Sequence, residues 1–137
     1  MIDLVEVSKT YKGGVQALRR TDLTIEAGQV TVLLGPSGAG KSTLLRCINL
    51  LVQPTTGTVR AAGLPALDSR RALRRHRRRT GMVFQHHQLV PRYTALRNVL
   101  LGRVGYHSFW HGLLPAGRAD ERIALEALDQ VLSLIHI

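Results

Sequence analysis

Gly35-Pro36-Ser37-Gly38-Ala39-Gly40-Lys41-Ser42-Thr43 stands between two apolar runs of different period. Upstream, Val30-Thr31-Val32-Leu33-Leu34 is short, continuous and β-rich, with glycines near both ends. That pattern predicts a strand buried on both faces, as in a parallel sheet covered by helices. Downstream, Leu44 to Val52 keeps helical character and stops before Pro54, with the helix expected to begin near Lys41. The nine residues between them match G-x-x-x-x-G-K-[ST] in full, and strand, glycine-rich loop and helix in that order specify an α/β architecture.

Each position of the loop has a chemical reason. Glycines let the backbone curl so that successive N–H groups point into one concavity, an anion nest. The positive end of the following helix adds to it. Lys41 supplies a point charge for β- and γ-phosphate oxygens, the Ser42 hydroxyl suits Mg²⁺, and Thr43 adds a hydroxyl near an α-phosphate. The alternative, a glycine-rich turn with a surface lysine, does not explain why the motif follows a strand pattern and opens a helix pattern directly.

The 137 residues suffice for one domain with a core. With 45% hydrophobic and 20% charged residues the composition is that of a soluble globular protein. No apolar run is long enough to span a bilayer, so membrane association is expected only through a partner. The single cysteine, Cys47, excludes an internal disulfide, fits a reducing cytoplasm and reads as a small core residue. The net charge of +10 centres on residues 70–79, which hold seven arginines. That run reads first as a solvated helix face, with a nucleic-acid or acidic-lipid footprint as the alternative; no aromatic residue is interleaved with it, as a single-strand binder requires.

Elsewhere, Ile2, Leu4, Val5 and Val7 predict a first strand, Gly13-Gly14 a turn, and Ala17 to Ile25 a second strand. Gly57 to Ala61 and Gly81-Met82-Val83-Phe84 read as further strands. Ser69 is a candidate cap for the arginine helix and Thr94 for a helix from Ala95 to Leu101, with Leu96, Val99 and Leu100 at core spacing. Ala119 to about Val131 predicts a final amphipathic helix with Ile123, Leu125, Leu128 and Val131 as its apolar stripe. The six histidines read as surface or packing residues, none having metal spacing.

Around the loop the chain resembles the nucleotide-binding domain of ABC transporters. Ser8-Lys9-Thr10-Tyr11 is similar to that family's opening, Glu26-Ala27-Gly28, Leu44-Leu45-Arg46 and Pro54-Thr55-Thr56-Gly57 to its flanking segments, and Met82-Val83-Phe84-Gln85 to its glutamine loop. The resemblance implies an α/β fold of the P-loop NTPase class, the N-terminal part of such a domain and incomplete. It implies that Tyr11 stacks on adenine and that Gly35, Pro36, Ser37, Gly38, Ala39, Gly40, Lys41, Ser42 and Thr43 hold ATP. It further implies that Ser42 and Gln85 contact Mg²⁺, and that Lys41 and Gln85 serve catalysis. Within the family, Asn98-Val99-Leu100-Leu101-Gly102-Arg103, Gly105-Tyr106, Trp110 and Leu113-Leu114 are most similar to ATPases of phosphonate importers, with a polar amino acid or other small-solute importer as the alternative and a basic nucleic-acid-binding fragment as the reading from another class. The partners so implied are permease subunits, a periplasmic solute-binding protein and a second ATPase subunit, at the cytoplasmic face of a bacterial inner membrane; nucleic acid is not expected.

The departures from the family pattern are the signature segment Leu-Ser-Gly-Gly-Gln, the acidic strand with its Mg²⁺-binding Asp and catalytic Glu, and the switch histidine, none of which is found in the sequence. His86 and His87 directly follow Gln85, and Glu121 and Glu126 lie on the last helix, so none of these fills those roles by position. Residues 1–131 are therefore expected to be a partial domain that hydrolyses little ATP alone. Residues 132–137, Leu-Ser-Leu-Ile-His-Ile, resemble the translation of a transposon adapter end and are expected to be non-native.

Overall fold

The computed structural model describes residues 1–85, 89–106 and 117–135, with side chains described as far as Leu132. It divides into two compact units, Met1–Met82 and Val83–Ile137. His86, His87, Trp110, Leu113, Leu114, His136 and Ile137 lie outside the described residues.

The first unit is built on β1 (Ile2–Thr10), β2 (Gln16–Ile25) and β3 (Thr56–Ala61), an antiparallel sheet in the order β2-β1-β3. β1 and β2 form a hairpin from Ile2↔Ile25 to Thr10↔Gln16, closed by Gly13 and Gly14 at φ 95° and 81°. The uneven apolar pattern of β1 has a physical cause. Leu4 and Val7 are three apart, so a regular strand would send them to opposite faces. Between Leu4↔Leu23 and Val7↔Thr21, β1 uses three steps against two on β2, and it does the same against β3 between Val5↔Thr58 and Ser8↔Thr56. The extra residue is a bulge at Glu6 with φ 54°. It brings Leu4 and Val7 onto one buried face, at 2% and 0% exposure. A left-handed glutamate costs about 1 kcal/mol; the Asp22 carboxylate accepting from its N–H at 2.7 Å, a Thr56 hydroxyl donating to its carbonyl and an ion pair with Arg20 offset that. Gly57 (φ 79°) lies so close to the bulge that a Cβ there would meet the Glu6 carbonyl oxygen at 2.3 Å.

α1 (Lys41–Ile48) covers the inner face of the sheet, and Leu44, Cys47, Ile48 and Leu50 complete a core with Leu4, Val7, Leu18 and Val59. It is shorter than the expected helical run to Val52. Leu50 adopts φ 52°, and Leu51 N–H returns to the Arg46 carbonyl at 2.9 Å, the helix-stopping motif that glycine usually serves. Leu50 takes that place because its side chain is buried. α2 (Arg70–Arg79) starts where Ser69 Oγ accepts from Ala72 N–H at 3.1 Å. Its arginines are exposed, while Ala72 and His76 are buried.

The parallel-sheet expectation is corrected by the structure. Val30–Leu34 forms no strand and joins no ladder, and Val30, Val32 and Leu34 are 92%, 69% and 90% exposed. Gly81–Phe84 likewise forms no strand, and Val83 is exposed. An antiparallel partner arrives through a short turn, whereas a parallel strand needs a neighbour delivered by a crossover, and no such neighbour is found among the described residues.

In the second unit α3 (Ala95–Leu101) is capped by Thr94 as expected, its Oγ1 accepting from Arg97 N–H at 3.3 Å. Leu96, Val99 and Leu100 are half-buried. A one-turn 3₁₀ helix follows at Val104–Tyr106, and α4 runs Arg118–Ile135. The inward stripe of α4 is Asp120, Ala124 and Leu128, spaced by four, rather than the expected one; Ile123, Leu125 and Val131 are exposed. Asp120 turns inward because Arg103 Nε donates to its carboxylate at 2.8 Å. Among the described residues no helix is long and apolar enough to cross a membrane.

Candidate functional site

The loop Gly35–Thr43 is irregular as far as Gly40, and α1 opens at Lys41. Gly35, Gly38 and Gly40 have φ of 153°, 81° and 86°, a backbone that L side chains resist. Two of the three glycines serve distinct needs. A Cβ at Gly40 would lie 2.7 Å from the Ala17 carbonyl, so glycine lets the helix start rest directly on β2. Gly38 faces open space, with nothing within 4 Å of a Cβ, and leaves the concavity clear. Ser37, Gly38, Ala39 and Ser42 are exposed, and Lys41 and Thr43 half-buried.

Lys41 folds back over the loop. Its ammonium donates to the Gly35 and Pro36 carbonyls at 2.6 and 2.8 Å. A strongly hydrated cation is thus held on backbone dipoles at the loop rather than extended into water. No acidic residue stands in the first turn of α1, so nothing on that turn competes with an incoming anion for the positive helix end.

Tyr11 is at the tip of the β1–β2 hairpin, where its N–H donates to Val15 O at 2.9 Å. Thr10, beside it, pairs with Gln16, and Ala17 is the residue Gly40 rests on, so the hairpin end and the start of α1 adjoin. Tyr11 is 39% exposed, and one side of its ring faces the Lys9 ammonium, 5.3 Å from its centroid. Lys9 is itself tied to Gln53 O at 2.7 Å. Gln85 is exposed and belongs to the second unit. In that unit a groove of about 480 Å³ is lined by Leu89, Val90, Pro91, Tyr93, Val99 and Leu128 among others. Asn98 shapes it, its Oδ1 accepting from Val90 N–H at 2.8 Å and its Nδ2 donating to Val90, Tyr93 and Thr94 carbonyls.

Two participants escaped the reading of the sequence. Lys9 had only its alternation with Tyr11 as a signal. His76 was hidden inside the arginine run; its place four residues after Ala72, the other buried residue of α2, was the available clue. Burial pushes the Cys47 thiol above its usual range, the nearby Lys9 charge acting weakly the other way, so Cys47 is the packing residue expected.

A family model for ABC transporters matches residues 18–136. A phosphonates import ATP-binding protein of Nostoc sp. is 53% identical over 96% of this chain and 50% of its own length. A phosphite import ATP-binding protein of Stutzerimonas stutzeri is 55% identical over 91% of this chain and 45% of its own. The chain spans about half the length of these curated relatives. Among solved structures, a dimeric bacterial ABC transporter cassette matches with TM-score 0.76 and 37% identity over 94% of this chain and 56% of its own. A dimeric ATP-binding cassette in a post-hydrolysis state with ADP and Pi matches with TM-score 0.75 and 36% identity over the same shares. By fold and by sequence, the chain belongs to the ABC transporter family.

Proposed function

We propose that the chain is the ATP-binding part of an importer ATPase for phosphonate or a related oxyanion. The observation that carries this is Lys41 bonded across Gly35 and Pro36 at the opening of α1, a cation held at a glycine-rich loop that leads into a helix. The names of the relatives supply the solute class.

The donor set fits a Mg²⁺–nucleotide. The loop amides and Lys41 would hold the phosphates, the Ser42 hydroxyl would face Mg²⁺, Thr43 would reach the α-phosphate, and Tyr11 would take adenine on the side of its ring away from Lys9. Bound ATP supplies the transferable phosphoryl group. The chain's own part is positioning and charge neutralisation: the rigid helix start fixes Ser42 and Thr43, and Lys41 exchanges two carbonyls for phosphate oxygens. Activating water needs a carboxylate. Glu121 and Glu126 stand on α4, and Glu126 pairs with Arg122 at 3.6 Å, so these residues alone are expected to bind ATP and turn over little of it. Permease subunits, a solute-binding protein and a second ATPase subunit complete the transporter at the membrane's cytoplasmic face in this reading.

Titration of the purified chain with a fluorescent ATP analogue and Mg²⁺ tests the site. Binding is expected, weakened at least about tenfold by Lys41→Ala, which removes a charge-assisted contact to phosphate. Wild-type-like binding by that variant rules the site out. Steady-state phosphate release that disappears in Lys41→Ala would overturn the expectation of low turnover.

A further inference from the structure

α1 spans only eight residues, about 12 Å, and its far end is bonded as carefully as its phosphate-facing end. His76 reaches from α2 to the Ile48 carbonyl, with Nε2 at 2.8 Å. A carbonyl can only accept, so Nε2 carries a hydrogen. His76 is 1% exposed, and Nδ1 has no hydrogen-bond partner. Burying an unsatisfied nitrogen is unfavourable, and an apolar side chain of similar size would avoid it. What histidine adds over such a residue is the Nε2–H on α1. Two further bonds tie α2 to the segment just past α1, though not to a carbonyl of the helix itself: Arg77 Nη2 donates to Leu50 O at 2.5 Å, and Thr80 Oγ1 to the Asn49 side-chain oxygen at 2.8 Å.

We propose that His76 is a positioning residue for nucleotide binding, acting through α1 on the Gly35–Thr43 loop. This rests on the reading of that loop as the ATP site. A donor on the last carbonyl of a short helix offsets its negative end. At about 12 Å that end otherwise weakens the positive potential at the first turn, where phosphate would sit. The same bond ties the end of α1 to α2, and with it the position of Lys41 and Ser42 at the other end. The arginines on either side of His76 are exposed and do not replace its buried bond.

Affinity for a fluorescent ATP analogue with Mg²⁺, measured on the full 137-residue chain beside the melting temperature of the nucleotide-free form, tests this. His76→Leu removes the donor and is expected to weaken binding about fivefold. His76→Gln places an amide N–H where Nε2 stands and is expected to stay within about twofold of wild type. A merely structural role lowers the melting temperature without this split between the variants. Equal affinity in all three forms, or equal loss in both variants, overturns the proposal. Should His76→Leu fail to fold, His76→Met, another apolar side chain without a donor, is expected to weaken binding to the same extent, and affinity within about twofold of wild type there overturns the proposal. Absence of binding by the wild type overturns the site itself and this inference with it.

Discussion

β1 and the run Val30–Leu34 both carry valine and leucine at strand spacing, yet Leu4 and Val7 of the one are buried while Val30, Val32 and Leu34 of the other are exposed. Leu4 and Val7 are 2% and 0% exposed, whereas Val32 and Leu34 are 69% and 90% exposed. The apolar residues themselves do not separate them, since the more polar segment is the one that holds the buried pair; the route by which a partner arrives does. β2 reaches β1 through a five-residue turn, residues 11–15, and β3 returns antiparallel on the other side. A parallel run waits for a crossover, in a chain that spans about half the length of its relatives.

The largest effect that sharpens this contrast is Leu4→Ala, expected to cost about 2–5 kcal/mol in urea unfolding, as for other fully buried leucines. Leu34→Ala in the same chain is expected within about 0.5 kcal/mol; a cost above about 1.5 kcal/mol would mean that Leu34 is buried in solution and would break the contrast. The corresponding substitution in a relative of twice the length is expected to cost about 2–5 kcal/mol, if crossover partners there bury the strand. Gly57→Ala adds a Cβ against the Glu6 carbonyl and a strained φ, and should cost about 2–4 kcal/mol by the same unfolding measurement. In the second unit Asp120→Ala leaves the half-buried Arg103 without its buried carboxylate partner, an expected loss of about 1–3 kcal/mol, read by the melting of α4. The smallest effect concerns pH. Because burial raises the Cys47 thiol in the fold, that group's contribution is fully present below the ordinary thiol range, about 8.5, and fades as pH climbs through the raised value. A slight loss of stability above pH 9 should therefore be absent from Cys47→Ala, and a thiol reagent should react only after unfolding.

Local chemistry was legible and long-range delivery was not. Ser69 and Thr94 cap their helices because a hydroxyl beside a free N–H needs nothing distant. The glycine loop and the helix behind it were readable for the same reason. The Glu6 bulge was not, since a left-handed glutamate is held by Asp22, Thr56 and Arg20 from other strands. Leu50 hid the end of α1 by occupying a glycine's place, and Asp120 moved the stripe of α4 by turning a charge inward toward Arg103. His76 showed the opposite failure, a buried residue inside a run whose charge advertised solvent.

Lys41 resting on Gly35 and Pro36 has a consequence for selectivity. A loop whose lysine already satisfies two of its carbonyls offers little to a simple anion, which must break both bonds and return few. A chain of phosphates returns many at once. Sulfate is therefore expected to displace a nucleotide analogue poorly even in large excess, while inorganic triphosphate competes well, so that the unliganded loop screens its visitors by how many oxygens they bring.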